Sequence, residues 1–408
     1  MPETQAAPTT RTGPGLLLIA LAYVGFISLG LPDAVTGVAW PTIRDTFGLA
    51  QGAIGMVFMA SGLGYFVTSF ISGRLTQALG IGLLLAISTA LVAGAMFGFA
   101  TAPIWGVFVA CAVVHGLGSG AIDAGLNGYA ANYLSARHMN WLHACYCFGA
   151  MLGPLLMTAV LAAGRPYSVG YSAVGGVLLT LAALFLATRP RWGQTSSTAA
   201  EVGPQVKAGE ALQHPAVLLQ MALFFLYTGL EMTFSQWAYT VLTEARGVEP
   251  VRAGSAVGLY WGSIGAGRVV FGMVADRVGI DRLLRYCLLA AVAGAVLFAI
   301  PLTAPAAFAG LALAGFGLAP VFPCLMTRTP QRLGAGLSGH AVGFQVGAAM
   351  IGAAAVPATL GLVGSRVGLE AVPIGAAILA GLVWMLHEGL VRRPDVANRE
   401  GGRDSAHD

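Results

Sequence analysis

Apolar runs of about twenty residues, the length that crosses a bilayer as a helix, recur twelve times along this chain with short polar breaks between them. The pattern predicts spans at 14–40, 52–73, 79–100, 104–134, 139–163, 168–188, 215–243, 252–274, 283–303, 305–327, 336–361 and 367–391. The first run is too long for a signal-peptide core and lacks a small-residue cleavage pattern behind it, so it reads as the first membrane helix.

The pattern also repeats. Shifted by 199 residues, the chain falls into register with itself: Gly30-Leu31 meets Gly229-Leu230, Gly48 meets Gly247, and Gly55, Gly73 and Gly80 meet Gly254, Gly272 and Gly279. Further on, Gly116-Leu117-Gly118 meets Gly315-Phe316-Gly317, and Met151-Leu152-Gly153 meets Met350-Ile351-Gly352. The matches fall at equivalent points of successive spans, which is the signature of an internal repeat. Two related membrane halves with a site between them is the plan of a transporter. The fold expected is therefore all-α: twelve membrane helices in two pseudo-symmetric six-helix bundles.

Composition agrees with a lipid-dissolved chain. Of the 408 residues 57% are hydrophobic and only 9% charged, against about 25% charged in soluble domains. Mean hydropathy is +0.77. The net charge of +4 reflects topology and does not point to nucleic acid. Fifteen basic residues lie in the loops and tails on the side of the two termini, against five (Arg44, Arg165, Arg246, Arg252 and Arg366) on the other. By the positive-inside rule both termini are cytoplasmic, in the cytoplasmic (inner) membrane. Residues 189–214 form one long polar stretch suited to a cytoplasmic linker. The domains expected are thus an N-terminal bundle over 1–188, a linker over 189–214, a C-terminal bundle over 215–393 and a disordered tail over 394–408. The five cysteines fall inside spans and read as free buried thiols, with no metal spacing. The 57 glycines read as packing residues that let membrane helices approach closely.

Ionisable groups inside spans are costly and ask for a reason. Asp33, Asp123, Glu231 and Arg268 are the four that stand out. Asp33 lies too deep to snorkel, beside Pro32 and Gly30, which loosen the helix; it reads either as a tie between helices or as a coupling carboxylate or substrate ligand. Asp123 and Asn127 are four apart and share one helical face, which should point to a cavity. Burial disfavours the charged form of a carboxylate in general, as proton uptake requires, and an amide offers both donor and acceptor to substrate hydroxyls. Asn140 and His143 follow on the fifth span; His143 reads as a core residue, a substrate partner or a relay to Asp123, while His115 reads as structural. The second half adds Glu231 and the aromatic residues Tyr227, Trp237 and Trp261, whose rings suit a sugar's apolar face. Tyr239 reads as an interface residue. Gln345 falls opposite Tyr146 under the repeat, so both are candidates for the cavity wall. Arg268 is grouped with Gly272, Asp276, Arg277 and Gly279 as a gating cluster, with Asp276 meeting the positive N-terminus of a neighbouring helix on the cytoplasmic side.

The motif Gly272–Gly279, GMVADRVG, resembles the loop signature of the major facilitator superfamily. Its first-half counterpart carries Gln77 and Ala78 in place of Asp and Arg. The acidic residue of the first span, the Asp123/Asn127 pair, and Asn140 ahead of Phe148-Gly149-Ala150 resemble the fucose–proton symporter family, although Asp123 stands where that family often has Glu. GLEMTFSQW (Gly229–Trp237) and GLAPVFP (Gly317–Pro323) are similar to its bacterial members and related glucose carriers. The resemblance implies a sugar-like substrate and proton coupling through Asp33 and Asp123.

The function expected is proton-coupled uptake of a monosaccharide or similar polar molecule by alternating access, with membrane lipids around a monomer and no cofactor. Export of an amphipathic metabolite or drug is the alternative, and a non-transporting sensor or scaffold the alternative of another class. No GxxxxGK[ST] phosphate loop occurs. No nucleophile–base pair is evident, so the chain does not read as an enzyme.

Overall fold

The computed structural model describes residues 15–134, 136–192 and 208–393. Among these, twelve helical segments are long and apolar enough to cross a membrane. They are α1 (Leu16–Phe47), α2 (Gln51–Leu79), α3 (Ile81–Thr101), α4 (Trp105–Ala130), α5 (Trp141–Ala162), α6 (Tyr167–Arg191), α7 (Pro215–Ala245), α8 (Pro250–Ala275), α9 (Ile280–Ala299), α10 (Ala304–Leu333), α11 (His340–Val367) and α12 (Ala371–Val391). The first six form one bundle and the last six another. Most of the polar stretch between them, and the tail from 394, lie outside the described residues.

The repeat seen in the sequence reappears atom by atom. A Cβ on Gly116 of α4 would sit 1.9 Å from the Ser61 carbonyl oxygen of α2; one on Gly315 of α10 would sit 2.6 Å from that of Tyr260 in α8. Ser61 and Tyr260 are themselves 199 apart. Gly118 likewise abuts the Ser88 carbonyl at 2.6 Å, and Gly317 that of Cys287, again 199 later, at 2.4 Å. Only glycine allows two backbones this close, and in lipid such packing is what draws helices together. Gly48 and Gly247 both hold φ +62° after α1 and α7, left-handed conformations that favour glycine.

Two spans are broken where they border the interior. In α1 the helix stops at Asp33 and restarts at Val35, just after Pro32, whose missing N–H removes a rung of the helix. In α10 the break falls between Leu318 and Val321, at Pro320. The second part of α1 continues to Phe47, beyond the predicted end at residue 40. Thr42, Arg44, Asp45 and Thr46 lower the hydropathy of its last turns without ending the helix.

The halves meet along α1–α7, α2–α11 and α5–α8. At the end away from the termini they are closed. Cβ atoms on Gly37, Gly55 and Gly254 would lie 2.7 Å from Ser235 O, 2.7 Å from Ala358 Cβ and 1.8 Å from Thr158 Oγ1 respectively. Arg44 of α1 also pairs with Glu244 of α7 at 2.9 Å. Toward the termini the seam loosens. A Cβ on Gly347 would lie 3.9 Å from the Phe66 ring, and on the same faces a Cβ on Gly73 or Gly343 would meet nothing within 4 Å.

Candidate substrate cavity

Between the halves lies a cavity of about 260 Å³. Much of its wall is apolar, with Phe26, Phe58, Phe99, Phe322, Met96 and Met350. Each of its three carboxylates pairs with a tyrosine. Tyr146 Oη of α5 donates to Asp33 Oδ2 at 2.9 Å. Tyr65 Oη of α2 donates to Asp123 Oδ2 at 2.5 Å. Tyr227 Oη donates to Glu231 Oε2 one turn along α7. Each of these carboxylates, Glu231 buried and Asp33 and Asp123 half-buried, thus takes a hydroxyl donor, which offsets the cost of removing it from water.

Around these pairs the network extends across helices and across the halves. His115 Nε2 stands 3.6 Å from Asp33 Oδ1, and its Nδ1 is 3.0 Å from Ser61 Oγ. Gln236 Nε2 of α7 donates to the Asp33 backbone oxygen at 3.3 Å. Arg268 Nη1 of α8 donates to the His143 backbone oxygen of α5 at 3.1 Å. Thr228 Oγ1, Gln236 Oε1 and Arg268 Nε are buried without a protein hydrogen-bond partner, and all three residues line the cavity. A ligand rich in donors and acceptors would satisfy them.

Asp33, Asp123, His143, Tyr146, Tyr227 and Glu231 all line the cavity. Other expected residues stand behind it. Asn127 Nδ2 donates to Asp123 Oδ1 at 2.9 Å, so it backs the carboxylate. Trp261 Nε1 donates to Ser235 Oγ, and its ring meets Tyr146 edge-on at 5.9 Å. Trp237 Nε1 is spent on the Pro357 backbone oxygen at 2.9 Å, fastening α7 to α11. Gln345 is buried in a cluster with Gln220 and Thr329 inside the second half. The Asn140 side chain lies outside those described.

The expected gating cluster divides. Arg268 is on the cavity wall, two turns before the end of α8 at Ala275, the edge at which the sequence places a latch. Gly272 and Arg277 are exposed, Gly279 turns the chain into α9 with φ +84°, and the Asp276 side chain lies outside those described. Near that edge Asp281 pairs with Arg328 at 2.7 Å and Arg332 at 2.5 Å, a network within the second half that the sequence reading missed.

Tyr65 and Gln236 were also missed, and His115, read as structural, lines the cavity. Gln236 carried a signal, being an amide inside the apolar segment GLEMTFSQW. Tyr65 carried none, since tyrosines are common in spans.

The model of the Major Facilitator Superfamily matches residues 22–357. Bypass of stop codon protein 6 of Saccharomyces cerevisiae is 24% identical over 92% of this chain and 83% of that protein. Sodium-dependent glucose transporter 1 of Homo sapiens is 23% identical over 60% of this chain and 54% of its own length. Among solved structures, a mutant of the nucleoside transporter NupG superposes with a TM-score of 0.75 at 13% identity, covering 92% of this chain and 99% of that one. A bacterial homologue of the human lysosomal transporter Spinster, inward-facing and occupied, gives 0.72 at 12% identity over 92% and 96%. At such identities the likeness is one of fold. With twelve spans in two repeated bundles and a family match over most of its length, the chain belongs to the major facilitator superfamily: it is an integral membrane transporter and not an enzyme.

Proposed function

We propose that this protein takes up a monosaccharide or similar polar molecule by alternating access, driven by protons that Asp33 and Asp123 carry. The observation that carries this reading is their shared position. Both carboxylates line one cavity between the halves, each held by a tyrosine from another helix. A coupling site must be reachable from the cavity and must tolerate both protonation states, and a hydroxyl partner serves both. Phe26, Phe322 and the unsatisfied Gln236 and Thr228 groups suit a sugar's apolar face and hydroxyl edge. The two halves move as bundles joined by the 189–214 linker, with both termini in the cytoplasm of a cell bounded by its inner membrane; the basic loops support that orientation.

Paired assays in liposomes test the coupling. Asp33→Asn and Asp123→Asn mimic the protonated state, so each variant should exchange substrate across equal concentrations yet fail to accumulate it under a pH gradient. Accumulation at the unmodified level by both variants rules these carboxylates out. A sodium gradient is the competing drive, suggested by the name of the human relative; accumulation under it without a pH difference would replace protons by sodium. The mainly apolar wall, with Met96, Met232 and Met350 beside the phenylalanines, favours a second reading, export of an amphipathic molecule. Dye efflux competing with sugar exchange would support that reading.

A further inference from the structure

The guanidinium of Arg268 is the one arginine or lysine side chain on the cavity wall among the described residues, and its hydrogen-bonding capacity is largely unspent. Nη1 donates to the His143 backbone oxygen. Nη2 is 3.9 Å from Glu231 Oε1, beyond hydrogen-bond length, and Nε has no partner. The side chain is nevertheless only 11% exposed. Tyr227 donates to Glu231 Oε2, while Oε1 faces Arg268 without a direct hydrogen bond. A planar fork of five N–H donors held inside a membrane protein is the geometry that receives a carboxylate through two oxygens. A neutral hydroxyl would leave most of the fork unsatisfied.

Resting on the reading of the cavity as a sugar site, we propose that the substrate is an acidic sugar, a polyhydroxylated body bearing one carboxylate, with that carboxylate seated on Arg268. The hydroxyl groups then meet Gln236, Thr228 and the far wall. Charge fits this arrangement under one condition. Arg268 is faced by Tyr227 and Glu231 from α7, by Tyr146 and Cys147 from α5, and by Tyr260 on its own span; His143 also stands on the wall, and Asp33, Asp123 and His115 complete its titratable groups. With the three carboxylates ionised the wall repels an anion, and with them protonated it attracts one. An acidic sugar is therefore admitted together with protons, in keeping with uptake coupled to them.

Binding to the purified protein in detergent, read by thermal shift and calorimetry, tests the assignment with glucuronate, its neutral methyl ester, glucose and glucose 6-phosphate as probes. Glucuronate should bind roughly tenfold to a hundredfold more tightly than glucose or the ester, the range expected for a hydrogen-bonded charge pair. Arg268→Gln should erase that preference, so that glucuronate and its ester bind alike, and Arg268→Lys should keep part of it. The ester comparison uses the unmodified protein, so it decides the matter even where a variant does not fold. Equal affinity for glucuronate and its ester overturns the proposal while leaving a neutral-sugar transporter intact. A preference for glucose 6-phosphate over glucuronate overturns the carboxylate assignment. Binding of none of the four probes overturns it together with the sugar reading beneath it.

Discussion

A carboxylate inside a membrane helix needs a donor close by, and here every carboxylate on the cavity wall has a tyrosine hydroxyl. The donors come from different places: α5 for Asp33, α2 for Asp123 and the same helix for Glu231. That explains what was legible at this scale. The spacing of Asp123 and Asn127 put both on one stripe, which is correct, but which of the two meets the cavity depends on Tyr65 reaching over from α2. The local pattern holds no trace of that contact. Because Asn127 backs Asp123 and does not line the cavity, Asn127→Ala should act on coupling and not on substrate affinity. Its apparent KM for exchange should stay within about twofold while pH-driven accumulation falls several-fold, a split that separates the two roles. A tenfold rise in KM would put the amide in the substrate site.

At the scale of helices, glycine decides which spans can touch. The equivalent contacts of Gly116 and Gly315, and of Gly118 and Gly317, are backbone against backbone, so no rotamer change can relieve an added side chain. Gly116→Leu and Gly315→Leu should each destabilise by about 3 kcal/mol or more, at or beyond the upper end of ordinary overpacking, seen as a lowered melting temperature in detergent. Gly94→Ala and Gly176→Ala, where a Cβ meets nothing within 4 Å, should be neutral or stabilising by about 0.5–1 kcal/mol through helix propensity. A similar response at all four positions would contradict this division. Number and order of the spans were legible in hydropathy, because lipid leaves a helix few ways to be polar. Ends were less so. The last turns of α1 are polar yet helical, since they pair with the other half: Arg44 reaches Glu244, and Trp40 donates to Gln51, which itself donates to Glu244.

For the whole molecule, the repeat supplies equivalent positions but not equivalent surroundings. Tyr146 and Gln345 correspond under the 199 shift, yet Tyr146 reaches the cavity at the break in α1 while Gln345 is absorbed by Gln220 and Thr329. How the halves dock determines what faces the cavity, and docking is not written in either half alone. The closed end rests on the α2–α11 and α5–α8 seams, with the Arg44–Glu244 pair across α1–α7. That pair is partly exposed, so Glu244→Gln should remove only about 0.2–1 kcal/mol. The expected effect is a modest gain, up to about fivefold, in labelling of cavity cysteines from the side away from the termini; no gain would mean that the pair does not hold that end shut. The direct test of alternating access is a staple across this seam. A Cβ on Gly52 would lie 3.6 Å from Leu362 Cβ, within the span of a disulfide, so Gly52→Cys with Leu362→Cys should form one under oxidation and lock the closed end. The oxidised protein should lose substrate exchange in liposomes and regain it on reduction, with either single variant active throughout. Exchange at the unmodified rate by the fully cross-linked protein would contradict transport by alternating access.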